Sequence, residues 1–157
     1  MENYVRAVLY AYPLLNKMDE AYKVHIRNKA VLSYRSDAPA LVQAQNIAAE
    51  ILDKRKLAWL KNVLEKVFGR LTEAQRALLD IRFSIYNKKT PEEKNGCANF
   101  GKGKYFRLQQ RLEEKIRVML KNEGLTKEDF ERDFSKMELF RHIGNKMQNL
   151  KCRMQNN

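Results

Sequence analysis

Apolar residues recur at three- and four-residue intervals through most of this chain, the spacing that lines one face of an α-helix. The first run, residues 3–18, carries Tyr4, Val5, Val8, Leu9, Tyr12, Leu15 and Met18. Pro13 is expected to kink or divide it, because proline lacks the N–H donor. A second run, from Asp19 to Leu32, keeps Tyr22, Ile26, Ala30 and Val31 on a stripe and places His25 near it as a core or boundary residue. SYRSDAP, residues 33–39, reads as a turn in which Ser36 or Asp37 caps and Pro39 suits a first helical turn. From there to Phe68 nothing breaks a helix, and Leu41, Ala44, Ile47, Ile51, Leu57, Leu60, Leu64 and Val67 mark its apolar face. At a rise of ~1.5 Å per residue such a helix reaches about 45 Å. It is therefore expected to bend near Asp53–Lys56 or to stand out as a dimerisation rod. Strict heptads are not sustained, which favours bundle packing over a coiled coil. Trp59, the only tryptophan, lies beside the stripe and reads as a core anchor.

Gly69 is a fitting C-terminal residue for that helix. In the next stretch, LTEAQRALLDIRF, Thr72 and Gln75 have the spacing of a capping box, and Ala74, Leu78 and Ile81, with Leu71 and Phe83 a turn away, form a buried face. Residues 85–103 are rich in Gly, Asn and Pro and read as turns. A helix is expected from Lys104 to Asn122, stopped by Gly124. Thr126 and Asp129 then cap a single C-terminal helix buried through Phe130, Phe134, Met137 and Phe140. The expected fold is all-α: a helical bundle with a C-terminal helix-turn-helix-like unit. Its segments are an N-terminal helical region 1–68, the helix-turn-helix-like region 69–122, a C-terminal helix 123–145 and a flexible tail 146–157.

Charge turns this architecture toward polyanions. The 157 residues hold 31 Lys+Arg against 19 Asp+Glu, a net +12, with a pI near 9.8. Such a field attracts nucleic acid first and an anionic membrane surface second. The charge is woven into helical segments: seven Lys/Arg and two Glu in residues 101–121, six Lys/Arg and one Glu in residues 54–70. Basic residues inside amphipathic patterns indicate a folded surface and not a disordered arm.

The residues themselves resemble a known family. LTEAQRALLDIRF is similar to the opening helix of region 4 in bacterial sigma-70-type factors, with its Leu-Thr-Glu-x-x-Arg start, and KYFRLQQRLEEKI is similar to that region's recognition helix. Phage late-gene regulators and small sigma-like proteins of Gram-positive bacteria share this layout. The likeness covers about 71–121, a third of the chain. It implies a helix-turn-helix in which Lys102, Phe106 and Arg107 are DNA-facing, with Lys104, Gln110 and Arg111 close by. Lys88 and Lys89 in the connector would clamp phosphates. Arginine can bridge guanine O6 and N7, glutamine can pair with adenine, and lysine mostly meets phosphate. The chain departs from the family between the two helices, where TPEEKNGCANFGKG replaces a short apolar helix and a capping serine. For Arg107 and Arg111 the competing reading is a solvated face with local pairs such as Arg111 with Glu114.

Other chemistry is thinly represented. Gly101–Gly103 lacks the strand and the Lys-Ser/Thr ending of a phosphate loop. The carboxylate pairs Glu92/Glu93, Glu113/Glu114 and Glu128/Asp129 are sequence neighbours, better explained by solubility or by helix-dipole compensation. Cys97 and Cys152 have no metal-ligand spacing, and only His25 and His142 accompany them. Isolated thiols and the absence of a cleavable leader or an apolar spanning run suggest a cytoplasmic protein without a membrane partner. The expectation is a non-enzymatic, cofactor-free transcriptional regulator that binds double-stranded DNA. Its N-terminal helices would contact RNA polymerase or form a homodimer. The alternatives are an interaction protein whose basic face meets an acidic protein partner, and RNA binding through Tyr105 and Phe106.

Overall fold

The computed structural model describes residues 3–34, 37–85 and 102–155, and among them every regular element is helical. In chain order these are α1 (Tyr4–Ala11), a 3-10 turn (Tyr12–Leu14), α2 (Leu15–Ser33), α3 (Ala40–Gly69), α4 (Glu73–Phe83), α5 (Lys102–Asn122), α6 (Lys127–Asp133) and α7 (Glu138–Gln155). The all-α expectation therefore holds. Two compact units emerge, but not as consecutive segments divided near residue 68. One joins Met1–Pro13 to Val63–Asn157, and the other is Leu14–Asn62.

Local chemistry sets most helix ends in the larger unit. Asn3 caps α1 by accepting from the Arg6 N–H at 3.2 Å, and the 3-10 turn carrying Pro13 ends it. Thr72 and Gln75 form the expected reciprocal box at the start of α4, and Thr126 and Asp129 do the same for α6. Arg76, on α4, donates to the Phe68 and Gly69 carbonyls at 3.1 and 3.3 Å, satisfying orphan acceptors at the end of α3. Gly124, at φ +94°, closes α5. There the Leu125 N–H reaches the Leu120 carbonyl and the Gly124 N–H that of Lys121, the paired bonds of a Schellman stop.

The core of this unit is aromatic. Phe130, Phe134 and Phe140 are buried against one another, with ring centroids 5.1–6.0 Å apart, and Tyr4 adds a ring 6.0 Å from Phe130. Tyr10 meets Phe83 edge-on, and Tyr12 meets Phe68. α1 packs on α7 and α5, and α4 packs on α5. The C-terminal region departs from the expected single helix. It breaks at 134–137, where the Ser135 hydroxyl donates to the Glu131 carbonyl, a side-chain bond that competes with the helical ladder. Helix α7 then continues through the supposed tail to Gln155. On α4, Ala74 is exposed instead of buried, and Leu79 is fully buried in its place.

The smaller unit is a hairpin of α2 and the first part of α3. Lys54 pairs with Asp19 at 3.0 Å and Lys29 with Glu50, which fixes an antiparallel pairing. The Lys54 ammonium, with Lys23 behind it, holds the Asp19 carboxyl below its ordinary value of 3.8. Its buried hydrophobic residues are Leu15, Leu57 and Leu60. His25 is exposed, and Trp59 is 41% exposed, so neither is the core residue expected. Helix α3 runs unbroken through Asp53–Lys56 as one element of 30 residues.

Candidate nucleic-acid interface

Helix α5 is amphipathic by construction. Leu112, Ile116 and Leu120 are buried along one side, and two polar side chains fix its rotation. Gln109, fully buried, donates from its amide to the Leu78 carbonyl of α4 at 2.8 Å and to the Tyr105 hydroxyl at 3.2 Å. Glu113, 6% exposed, receives the Arg6 Nε of α1 at 2.9 and 3.1 Å and the Arg82 guanidinium of α4 at 3.1 Å. A carboxylate buried between two arginines joins three helices, a role unlike the solvated acid expected from its neighbour Glu114. Removing Glu113 would leave two part-buried guanidinium groups without their anion.

With that side fixed, the opposite side is solvent-facing and basic. Lys104, Arg107 and Arg111 are all exposed. At about 100° per residue they fall, with Lys115, within an arc of about 80°. Arg107 and Arg111 have no ion-pair partner among the described residues, because Glu114 pairs with Arg117 at 3.4 Å and not with Arg111. Lys115 is exposed and donates to Gln75 of α4 at 3.1 Å. Sequence reasoning missed it as a site residue, although its i+4 spacing from Arg111 was a usable signal.

The remaining expected residues divide. Gln110 is exposed at the edge of the arc, about 60° from Arg107. Phe106 is 51% exposed but lies about 160° around the helix from Lys104, so a surface seated on the basic arc does not meet both squarely. Tyr105 is half-buried, with its ring edge-on to Phe106 at 5.7 Å. Lys88 and Lys89 lie outside the described residues, as does the side chain of Lys102.

A second basic edge of α5 lines a cavity of about 420 Å³ with Tyr4, Arg117, Lys121, Thr126, Lys127 and Glu128. Burial raises the Tyr4 hydroxyl above its usual range against the opposing pull of Arg117, so it is a neutral donor at physiological pH. Among the described residues no cluster of His, Cys, Asp and Glu could hold a metal ion. No helix among them is long and apolar enough to cross a membrane. No family model, no curated protein and no solved structure matches the chain.

Proposed function

We propose that this protein binds duplex DNA through the exposed face of α5, as a sigma-like transcriptional regulator. One observation carries the reading: the buried Gln109 and Glu113 bonds hold α5 so that Lys104, Arg107, Arg111 and Lys115 present a row of cations to solvent. Phosphates neutralised by such a row release condensed counterions, which supplies affinity without sequence choice. Arg107, with Gln110 at the edge, has the donors for base-edge contacts in a major groove. The pattern shared with sigma region 4 in α4 and α5 supports a transcriptional role, with RNA polymerase as a further partner.

Fluorescence anisotropy with a random-sequence duplex and the matching single strand, at two salt concentrations, tests this. The expected result is duplex binding that weakens steeply with salt. An Arg107→Ala/Arg111→Ala variant should lower the salt slope by about 2, near 0.9 per lost phosphate contact. A folded protein that ignores the duplex at low salt would overturn the proposal. A preference for the single strand that disappears in Phe106→Ala would replace it with base stacking on RNA.

A further inference from the structure

The far side of α3 carries a surface that the nucleic-acid reading does not use. Leu41, Gln45, Ala48, Leu52, Arg55 and Trp59 follow one another at alternating steps of four and three residues, the spacing of a coiled-coil seam. All six are exposed, with Leu41 at 69% and Leu52 at 52%. The opposite face of the helix is the one engaged with α2, through Glu50 and Lys54. Val42, Ala44, Ala49, Ile51 and Ala58 widen the seam and are exposed too. Residues 38–49 hold no charged side chain, on a chain with a net charge of +12.

We infer that this face is a homodimer interface, in which α3 of one copy packs antiparallel against α3 of a second. The face is self-complementary. An isologous contact centred on residue 50 sets Leu41 opposite the partner's Trp59, Gln45 opposite the partner's Arg55, and Ala48 opposite the partner's Leu52. In the central layers small then meets large, Ala48 against Leu52, as interdigitation requires. The one cation in the seam meets an amide oxygen that can accept from it. A parallel pairing would instead stack Arg55 on its own copy, a like-charge contact. The side chains of the face together expose on the order of 800 Å², close to what each partner contributes to a standard interface. The smaller unit has little buried apolar surface of its own, so covering this face gives it the packing it lacks.

Sedimentation velocity on the full chain over a range of concentrations reads the association. The expected result is a monomer–dimer equilibrium that persists in high salt. Leu52→Glu should weaken it roughly a hundredfold, because a two-fold interface receives each substitution twice. Leu52 is exposed in the monomer, so helix content by circular dichroism should not change. Orientation is read by cross-linking in a Cys97→Ser/Cys152→Ser background. A chain with Ala48→Cys should form a disulfide with a chain carrying Leu52→Cys and not with itself. A protein monomeric at all concentrations, a Leu52→Glu dimer of unchanged affinity, or self-cross-linking of Ala48→Cys would each overturn the inference. None of these results depends on whether the chain binds DNA.

Discussion

The two compact units are built from the same kind of helix but are stabilised differently. In the larger unit, helices of 7 to 21 residues surround three phenylalanines packed ring against ring, and a buried carboxylate joins α1, α4 and α5. In the smaller, two long helices are held by ion pairs and little buried apolar surface, and Val31, Leu32, Leu41 and Leu52 stay exposed. Helix length is thus no guide to how well a helix is packed. The packed unit orients a charged face, and the thinly packed unit presents an apolar one. We read these as a ligand-binding part and an assembly part.

The sharpest contrast should come from truncating apolar side chains. Phe130→Ala removes a fully buried ring that touches Tyr4, Phe134 and Phe140. It should cost about 4 kcal/mol in denaturant unfolding. Leu32→Ala, at a residue 60% exposed, should change stability by less than about 0.5 kcal/mol. Equal costs would break the distinction between the units.

The next effect is electrostatic. Glu113→Gln leaves the Arg6 and Arg82 guanidinium groups without their anion. As both arginines are about a quarter exposed, the loss should be about 2 kcal/mol, below that for a fully buried pair. It should also reduce duplex binding, although residue 113 faces the core, because the bond that sets the rotation of α5 is gone. A variant with lower stability and unchanged DNA affinity would separate the anchor from the binding face.

The smallest effect is a pH dependence. The Thr126 hydroxyl and backbone N–H hold the Asp129 carboxyl below its ordinary value of 3.8, with Arg132 contributing less. A carboxylate whose folded pKa is depressed adds stability that is present above the unfolded value and lost as pH falls through the folded one. Unfolding followed from about pH 6 to about pH 2 should therefore show a steeper acid loss in the wild type than in Asp129→Asn. Parallel curves would remove this capping box from the account of the larger unit.

Much of the helix architecture was legible in the sequence because helix ends are local. Thr72 with Gln75, Thr126 with Asp129, Pro13 and Gly124 each act on residues within a turn or so of themselves, and each acts where expected. What sequence pattern misjudged was tertiary. Glu113 lies 107 residues from Arg6, so nothing beside it announces a buried anchor. Trp59 and Ala74 sit on periodic stripes, yet periodicity does not say which side of a helix meets its neighbour. At the 134–137 break the Ser135 hydroxyl bonds to the Glu131 carbonyl, a contact that a capping pattern does not reveal. In the candidate site, the exposure of Lys104, Arg107 and Arg111 followed from amphipathicity. The separation of Phe106 from Lys104 followed only from their angular positions around the helix.

Hydrogen exchange on the full chain, with duplex added and with protein concentration raised, tests the division of labour most directly. Duplex should protect residues 103–115 and leave 41–59 unchanged, whereas raised concentration should protect 41–59 and leave 103–115 unchanged. Protection of both stretches by the same addition, or of neither by either, would contradict it.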